Sequence, residues 1–176
     1  MDGTHFFRSV CLAGLFVAVA SLQGCGSDSN SSAGACTAKD VTLQLGQPVP
    51  DGGQYVLDVF ISNVGSASCV VSQRPAVKLL NESTTGAKPS IDIASSGAAT
   101  TATVAVPASA AVKATLTFIA GPDAACDAAG PWVPTRMVVT LDKGLELTAG
   151  WPGGPVDDCQ GSATQAGTFI GPFAAE

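Results

Sequence analysis

An all-β fold is predicted for this chain, and three observations predict it. Apolar and polar residues alternate with a period of two in two places: Tyr55, Leu57, Val59 and Ile61 against Asp58 and Ser62, and Val112, Ala114, Leu116 and Phe118 against Lys113, Thr115 and Thr117. Pro and Gly punctuate nearly every gap between the apolar runs. No window keeps apolar residues at helical spacing for three turns. Short strands separated by turn residues point to a two-sheet β-sandwich, Ig-like in class, with a barrel as the alternative.

Before the domain comes a leader. Residues 10–20 form an eleven-residue apolar run, too short for a bilayer core of about 30 Å but of the length found in a signal peptide. The run leads into SLQGC at residues 21–25, with a Leu three places before a Cys and a small Gly directly before it. This is the pattern at which a lipoprotein signal peptidase cuts ahead of a Cys that becomes diacylated, so residues 1–24 are expected to be removed and Cys25 to carry the lipid. The basic start is slight, with Arg8 alone, and Gln23 is large for its position. The alternative is ordinary secretion, since Ala18, Val19 and Ala20 form an A-x-A site. Cysteine arithmetic favours lipidation. With Cys11 in the leader, cleavage after Ala20 leaves five cysteines and hence one unpaired thiol in an oxidising compartment, whereas acylation of Cys25 leaves four.

Cys25 and the stretch up to residue 35 make a lipidated, flexible linker rich in Ser, Gly, Asp and Asn. Its ten residues after Cys25 span about 17 Å on average, which keeps the domain near the lipid surface. Residues 36–176 are then one domain, of even composition and long enough for a single core. Strands are expected at 41–45, 55–61, 69–72, 76–80, 90–94, 101–106, 112–119, 136–141, 145–148 and 168–170, with Asn63, Val64, Gly65 and Ser66 as a turn. Cys36 and Cys69 are thirty-three positions apart, as are Cys126 and Cys159. Three pairings are formally possible. Cys36 with Cys69 and Cys126 with Cys159 is favoured, because each bridge then closes a local loop.

CTAKDVTLQLG, YVLDVFISNVGSASCVVSQRPAVKLL, the late Cys126 and DDCQGSATQAGTFIGPF resemble the domain of unknown function that recurs in actinobacterial envelope lipoproteins. The features that carry the resemblance are Cys36, Asn63, Gly65, Cys69, Pro75, Val77, Cys126, Cys159, Pro172 and Phe173. The family often has Gly and an aromatic where this chain has Gln73 and Arg74. The resemblance implies a disulfide-stapled β-sandwich on a lipid anchor, and it implies no activity.

The chemistry of the residues narrows the function. Without Asp2 and Arg8 the chain keeps thirteen acids and seven bases, an acidic balance that argues against nucleic acid as a partner. The single His, His5, lies in the leader, so imidazole-based triads and His zinc or copper sites lose their central residue. Met137 alone makes no Met-rich copper site. No C-x-x-C pair is present. Asp123, Asp127, Asp157 and Asp158 lack an EF-hand register and read as solvated loop carboxylates. The glutamates are Glu82, Glu146 and Glu176, and no catalytic pair can be named among them. No catalytic residue, metal site or cofactor is expected.

Trp132 and Trp151 stand in Pro/Gly-rich segments, PWVP and GWPGGP. They are expected on loops at one end of the domain, near the Cys126 bridge to Cys159, where they either cap the core or anchor a ligand. Arg74 beside Pro75 is expected to be solvated. The function that follows is a non-enzymatic accessory or binding domain, exported and lipid-anchored to a bacterial cell membrane, contacting an envelope protein or a cell-wall glycan. The alternatives are an envelope hydrolase using carboxylates and a structural lipoprotein with no specific ligand.

Overall fold

Alternation of buried and half-buried residues builds the two longest strands. In β3 (Gln54–Asn63) the side chains of Leu57, Val59, Ile61 and Asn63 turn inward, and in β8 (Ala111–Phe118) those of Val112, Ala114, Leu116 and Phe118 do. The two strands pair antiparallel from Tyr55 opposite Phe118 to Ser62 opposite Ala111. Their outer faces are mixed, with Val56 and Phe60 beside polar residues, and there Asp58 accepts a hydrogen bond from Thr115 Oγ1 at 3.2 Å and pairs with Lys113 Nζ at 3.4 Å. That pair is about 40% exposed on both sides, so it contributes little beyond solubility.

The computed structural model describes residues 33–82, 90–97, 100–119, 132–156 and 167–176. In chain order the remaining strands are β1 (Val41–Leu45), β2 (Val49–Asp51), β4 (Cys69–Ser72), β5 (Ala76–Leu80), β6 (Ser90–Ser95), β7 (Thr103–Val106), β9 (Arg136–Thr140), β10 (Glu146–Gly150), β11 (Phe169–Ile170) and β12 (Ala174–Ala175). One 3-10 turn, Asp142–Gly144, closes the β9–β10 hairpin. Lys143 and Gly144 sit there at φ of 59° and 74°, which suits the glycine and strains the lysine. Among the described residues there is no α-helix, and no helix is long and apolar enough to cross a membrane.

The all-β class is therefore what the structure shows. Its main sheet runs β1-β3-β8-β11-β6-β5-β9-β10, with β2 sharing an edge of β3 with β1, and β12 sharing an edge of β8 with β11. The terminal strands β1 and β10 lie against each other, so the sheet nearly closes on itself. The joint is β11, antiparallel to β8 and parallel to β6. The inward residues of β3 and β8 meet Val77 and Leu79 of β5, Met137 and Val139 of β9, and Phe173 in one core.

β4 and β7 form a separate two-stranded sheet. Two strands alone are marginal in water, and this pair is held from outside. Val71 and Val106 bury against the main core. Cys69 is bonded to Cys36. Gln73 N–H donates to Ala102 O at 2.9 Å, and Gln73 O accepts from Phe173 N–H at 2.8 Å. The chain enters the domain beside this sheet, with Ala35 bridged in parallel to Val70.

Strands 41–45, 69–72 and 76–80 fall where the sequence places them. β2 and β12 are additions that the sequence reading did not contain.

Candidate functional site

The β9–β10 hairpin sets the two tryptophans at one end of the domain. Arg136 at the start of β9 lies opposite Gly150 at the end of β10, so the residues just before the one and just after the other emerge together. Trp132 exchanges both backbone hydrogen bonds with Val156, at 3.1 and 2.7 Å, and Trp151 N–H donates to Thr135 O at 2.9 Å. Both tryptophans are outside the named strands, as their Pro/Gly surroundings predict.

Trp151 is held on every side the structure shows. Its Nε1–H donates to Gly154 O at 3.0 Å. Its ring meets Phe118 edge-on with centroids 5.2 Å apart, and Phe118 in turn stacks on Tyr55 at 5.6 Å. A Cβ on Gly153 would come within 2.9 Å of the indole, so the Gly at this point of WPGGP is required by close approach to the ring. Trp132, Trp151 and Tyr55 are partly buried and pack on the core from outside, beside Val133, which is 52% exposed. Edge-to-face rings contribute about 0.5–1.5 kcal/mol beyond their burial. The result is an aromatic end in which Tyr55, Trp132 and Trp151 are partly exposed around a fully buried Phe118. Gly153 was not singled out in the sequence, although the GWPGGP pattern carried the signal.

The opposite end of β3 is a polar knot. Asn63 is buried, with 2% of its surface exposed. Its Nδ2 donates to Ala67 O and to Val106 O, each at 2.9 Å, and lies 3.6 Å from Cys69 Sγ. Its Oδ1 accepts Gly65 N–H at 2.8 Å. A Cβ on Gly65 would fall 3.1 Å from that Oδ1 and 3.2 Å from Asp40 Oδ1, so a side chain at this point would press Asn63 and Asp40 outward by a few tenths of an ångström. Asp40 O accepts both Val64 N–H and Gly65 N–H. The Asp40 carboxylate accepts from the hydroxyl and the amide of Thr37, at 2.5 and 3.1 Å, and the hydroxyl chiefly holds its pKa below the ordinary aspartate value. Asp40 was not anticipated, since its partner turn lies some twenty residues further along the chain.

Replacing Asn63 by Asp is expected to cost about 2–3 kcal/mol, because a carboxylate cannot donate to the buried Val106 carbonyl or to the Ala67 carbonyl that Asn63 satisfies. Urea unfolding measures it, and a change below about 0.5 kcal/mol would remove this role.

The described acids are dispersed. Glu82 pairs with Arg136 at 3.2 Å, Asp92 with Lys78 at 3.4 Å and Asp58 with Lys113, while Glu146 is exposed on β10. Three surface depressions are lined by described residues: one by Asn63, Ser109 and Glu176 among others, one by Thr37, Asp142 and Lys143 among others, and one by Arg74, Ser95, Gly97 and Thr100. Among the described lining residues, none of the three shows two carboxylate side chains. Among the described residues no three His, Cys, Asp or Glu gather as for a metal ion, and Cys36 and Cys69 are spent in a disulfide.

Cys25, Cys126 and Cys159 lie outside the described residues, as do Asp123, Asp127, Asp157 and Asp158. One expectation is corrected. Arg74 is not a solvated side chain: it is half-buried, with Nη1 donating to Ser96 O and Nε closed off from solvent.

The model of a domain of unknown function, DUF4232, matches residues 36–169. The chain belongs to the DUF4232 family. In this DUF4232 domain the match starts at the disulfide cysteine Cys36 and contains the Asn63 knot and both tryptophans. Phe173 lies beyond it, yet the fold ties that residue to Gln73 within it. No curated protein and no solved structure matches the chain.

Proposed function

We propose that this DUF4232 protein is a lipid-anchored cell-envelope protein whose β-domain is a non-enzymatic binding or accessory module, presenting its aromatic end away from the membrane. The observation that carries the reading is the polarity of the domain. The chain enters at Cys36, beside the Asn63 end of β3, while Tyr55, Phe118 and Trp151 cluster at the other end of that strand. Eight residue steps separate the ends, about 26 Å at strand rise. A module tethered by a lipid on Cys25 would hold its rings toward the envelope space, where rigid aromatics bind proteins or glycans at low entropic cost.

Further parts belong to the same proposal. The nearly closed sheet is read as a sandwich whose layers, β1-β3-β8 and β6-β5-β9-β10, are joined by β11. Residues 1–24 are read as a cleaved lipoprotein signal peptide, and Cys126 with Cys159 as a second disulfide bracketing both tryptophans. A structural lipoprotein without a ligand is the second reading, favoured by the Trp151 indole N–H being already satisfied inside its own loop.

Cys25→Ser is expected to release the protein from membranes, and mass spectrometry of the native protein should show an acylated peptide beginning at Cys25. Recovery of an unmodified N-terminus at Ser21 would replace the anchor with secretion. For the binding role, Trp fluorescence is expected to respond to an aqueous quencher and to shift with soluble cell-wall glycan or an envelope extract. Complete protection of both indoles would leave the structural reading.

A further inference from the structure

We propose that Arg74 anchors an anion site, taking a compact oxyanion, carboxylate or phosphate, in a depression of about 210 Å³ lined by Arg74, Ser95, Gly97 and Thr100. The site is separate from the aromatic end and does not depend on its role.

The guanidinium is incompletely satisfied. Of its five N–H donors, Nη1 has Ser96 O as acceptor, and Nε is buried without one. The ion pairs among the described residues use Lys78, Lys113 and Arg136, and Arg74 has no carboxylate partner there. A half-buried cation without a counter-charge is costly, and an oxyanion that met the part of the guanidinium lining the depression would offset that cost by charge-assisted hydrogen bonding.

The surroundings are shaped for this. Gly97 is at φ 81°, a backbone conformation that favours glycine, and it lies against the guanidinium, a Cβ there falling 2.5 Å from Arg74 Nη2. Ser95 and Thr100 add hydroxyls at the rim of the depression. The frame is pinned by backbone hydrogen bonds on either side of the arginine: Gln73 N–H to Ala102 O, Phe173 N–H to Gln73 O, and Ser96 N–H to Ile170 O. Four separate segments of chain are therefore tied together around the arginine, with Ser96 O holding the guanidinium itself, and a donor on such a frame needs little reordering to bind. The chain's net charge of −6 disfavours diffuse anion binding, so saturable binding would report the local site.

The test is a titration of the full-length protein with sodium phosphate and with sodium acetate at constant ionic strength, sodium chloride serving as reference, followed by backbone amide NMR. Saturable shifts of Ser95, Gly97 and Thr100 that chloride does not produce are expected, with the better of the two anions assigning a tetrahedral or planar group. Arg74→Gln should weaken that binding about tenfold or more, while Arg74→Lys, which keeps charge but not the fork, should weaken it less. Should Arg74→Gln fail to fold, the native titration decides alone. Shifts that grow linearly without saturating, that centre elsewhere, or that persist unchanged in folded Arg74→Gln overturn the proposal.

Discussion

Phe173→Ala is expected to lower the stability of the domain by about 3–5 kcal/mol, the range for truncating a fully buried aromatic. Phe173 is completely buried although it is the fourth residue from the end of the sequence. Its backbone is fixed by the hydrogen bond from its N–H to Gln73 O, and β12, which follows directly, pairs with Lys113 and Val112 of β8. The ring thus plugs the core where the two-stranded β4–β7 sheet meets the main sheet, and the void left by alanine can collapse only by moving both. A fall in melting temperature on the order of 10 °C should accompany it. Phe173→Leu, which keeps most of the volume, should cost less than half as much. A Phe173→Ala loss below about 1 kcal/mol would mean that the terminal segment is an appendage and not part of the core.

Removing the Cys36–Cys69 bridge by Cys36→Ala with Cys69→Ala is expected to cost roughly 3.5 kcal/mol, from the loop-closure entropy returned to the unfolded chain by opening a loop of this length. The bridge spans thirty-three positions, and both of its residues are buried. It also has a local role. The segment entering at Ala35 lies along β4, with Val70 N–H donating to Gly34 O and Cys36 N–H to Val70 O. Without the bridge, a two-stranded sheet would rely on those bonds, on Val71 and Val106, and on Asn63 Nδ2. Hydrogen exchange should therefore quicken first at Val70 and Val71, with the pairing of β3 to β8 retained at moderate denaturant. Uniform loss of protection across both sheets would show that the bridge acts only through the unfolded state.

The clearest elements in the sequence were those whose burial alternates. β3 and β8 each bury every second residue, among them Leu57, Val59, Ile61, Val112, Leu116 and Phe118, so period-two patterning revealed them directly. β2 was not legible, because Val49, Pro50 and Asp51 are all exposed and gain only edge pairing to β3. β12 is two exposed alanines with no pattern to read. For the candidate sites the same division holds. The Pro and Gly around Trp132 and Trp151 announced loops, since those residues restrict or free the backbone wherever they stand. The edge-on contact of Trp151 with Phe118, thirty-three positions away in the chain, had no local signature.

Arg74 shows the division most sharply. Read beside Gln73 and Pro75, it was a polar side chain at the start of a strand. Its carbonyl partner, Ser96, and the glycine that makes room for it come more than twenty residues later, and nothing in local composition couples them. The sequence by itself determined what depends on neighbouring residues: the all-β class, the strands with one buried face, the Asn63 turn, and the family to which the domain belongs. Tertiary structure alone decided the near closure of the sheet through the two residues of β11, the separate β4–β7 pair, the burial of Phe173, and the pocket around Arg74. Periodicity and turn preference act over a few residues, whereas ring closure, burial and counter-charge depend on which distant segments the completed core brings together.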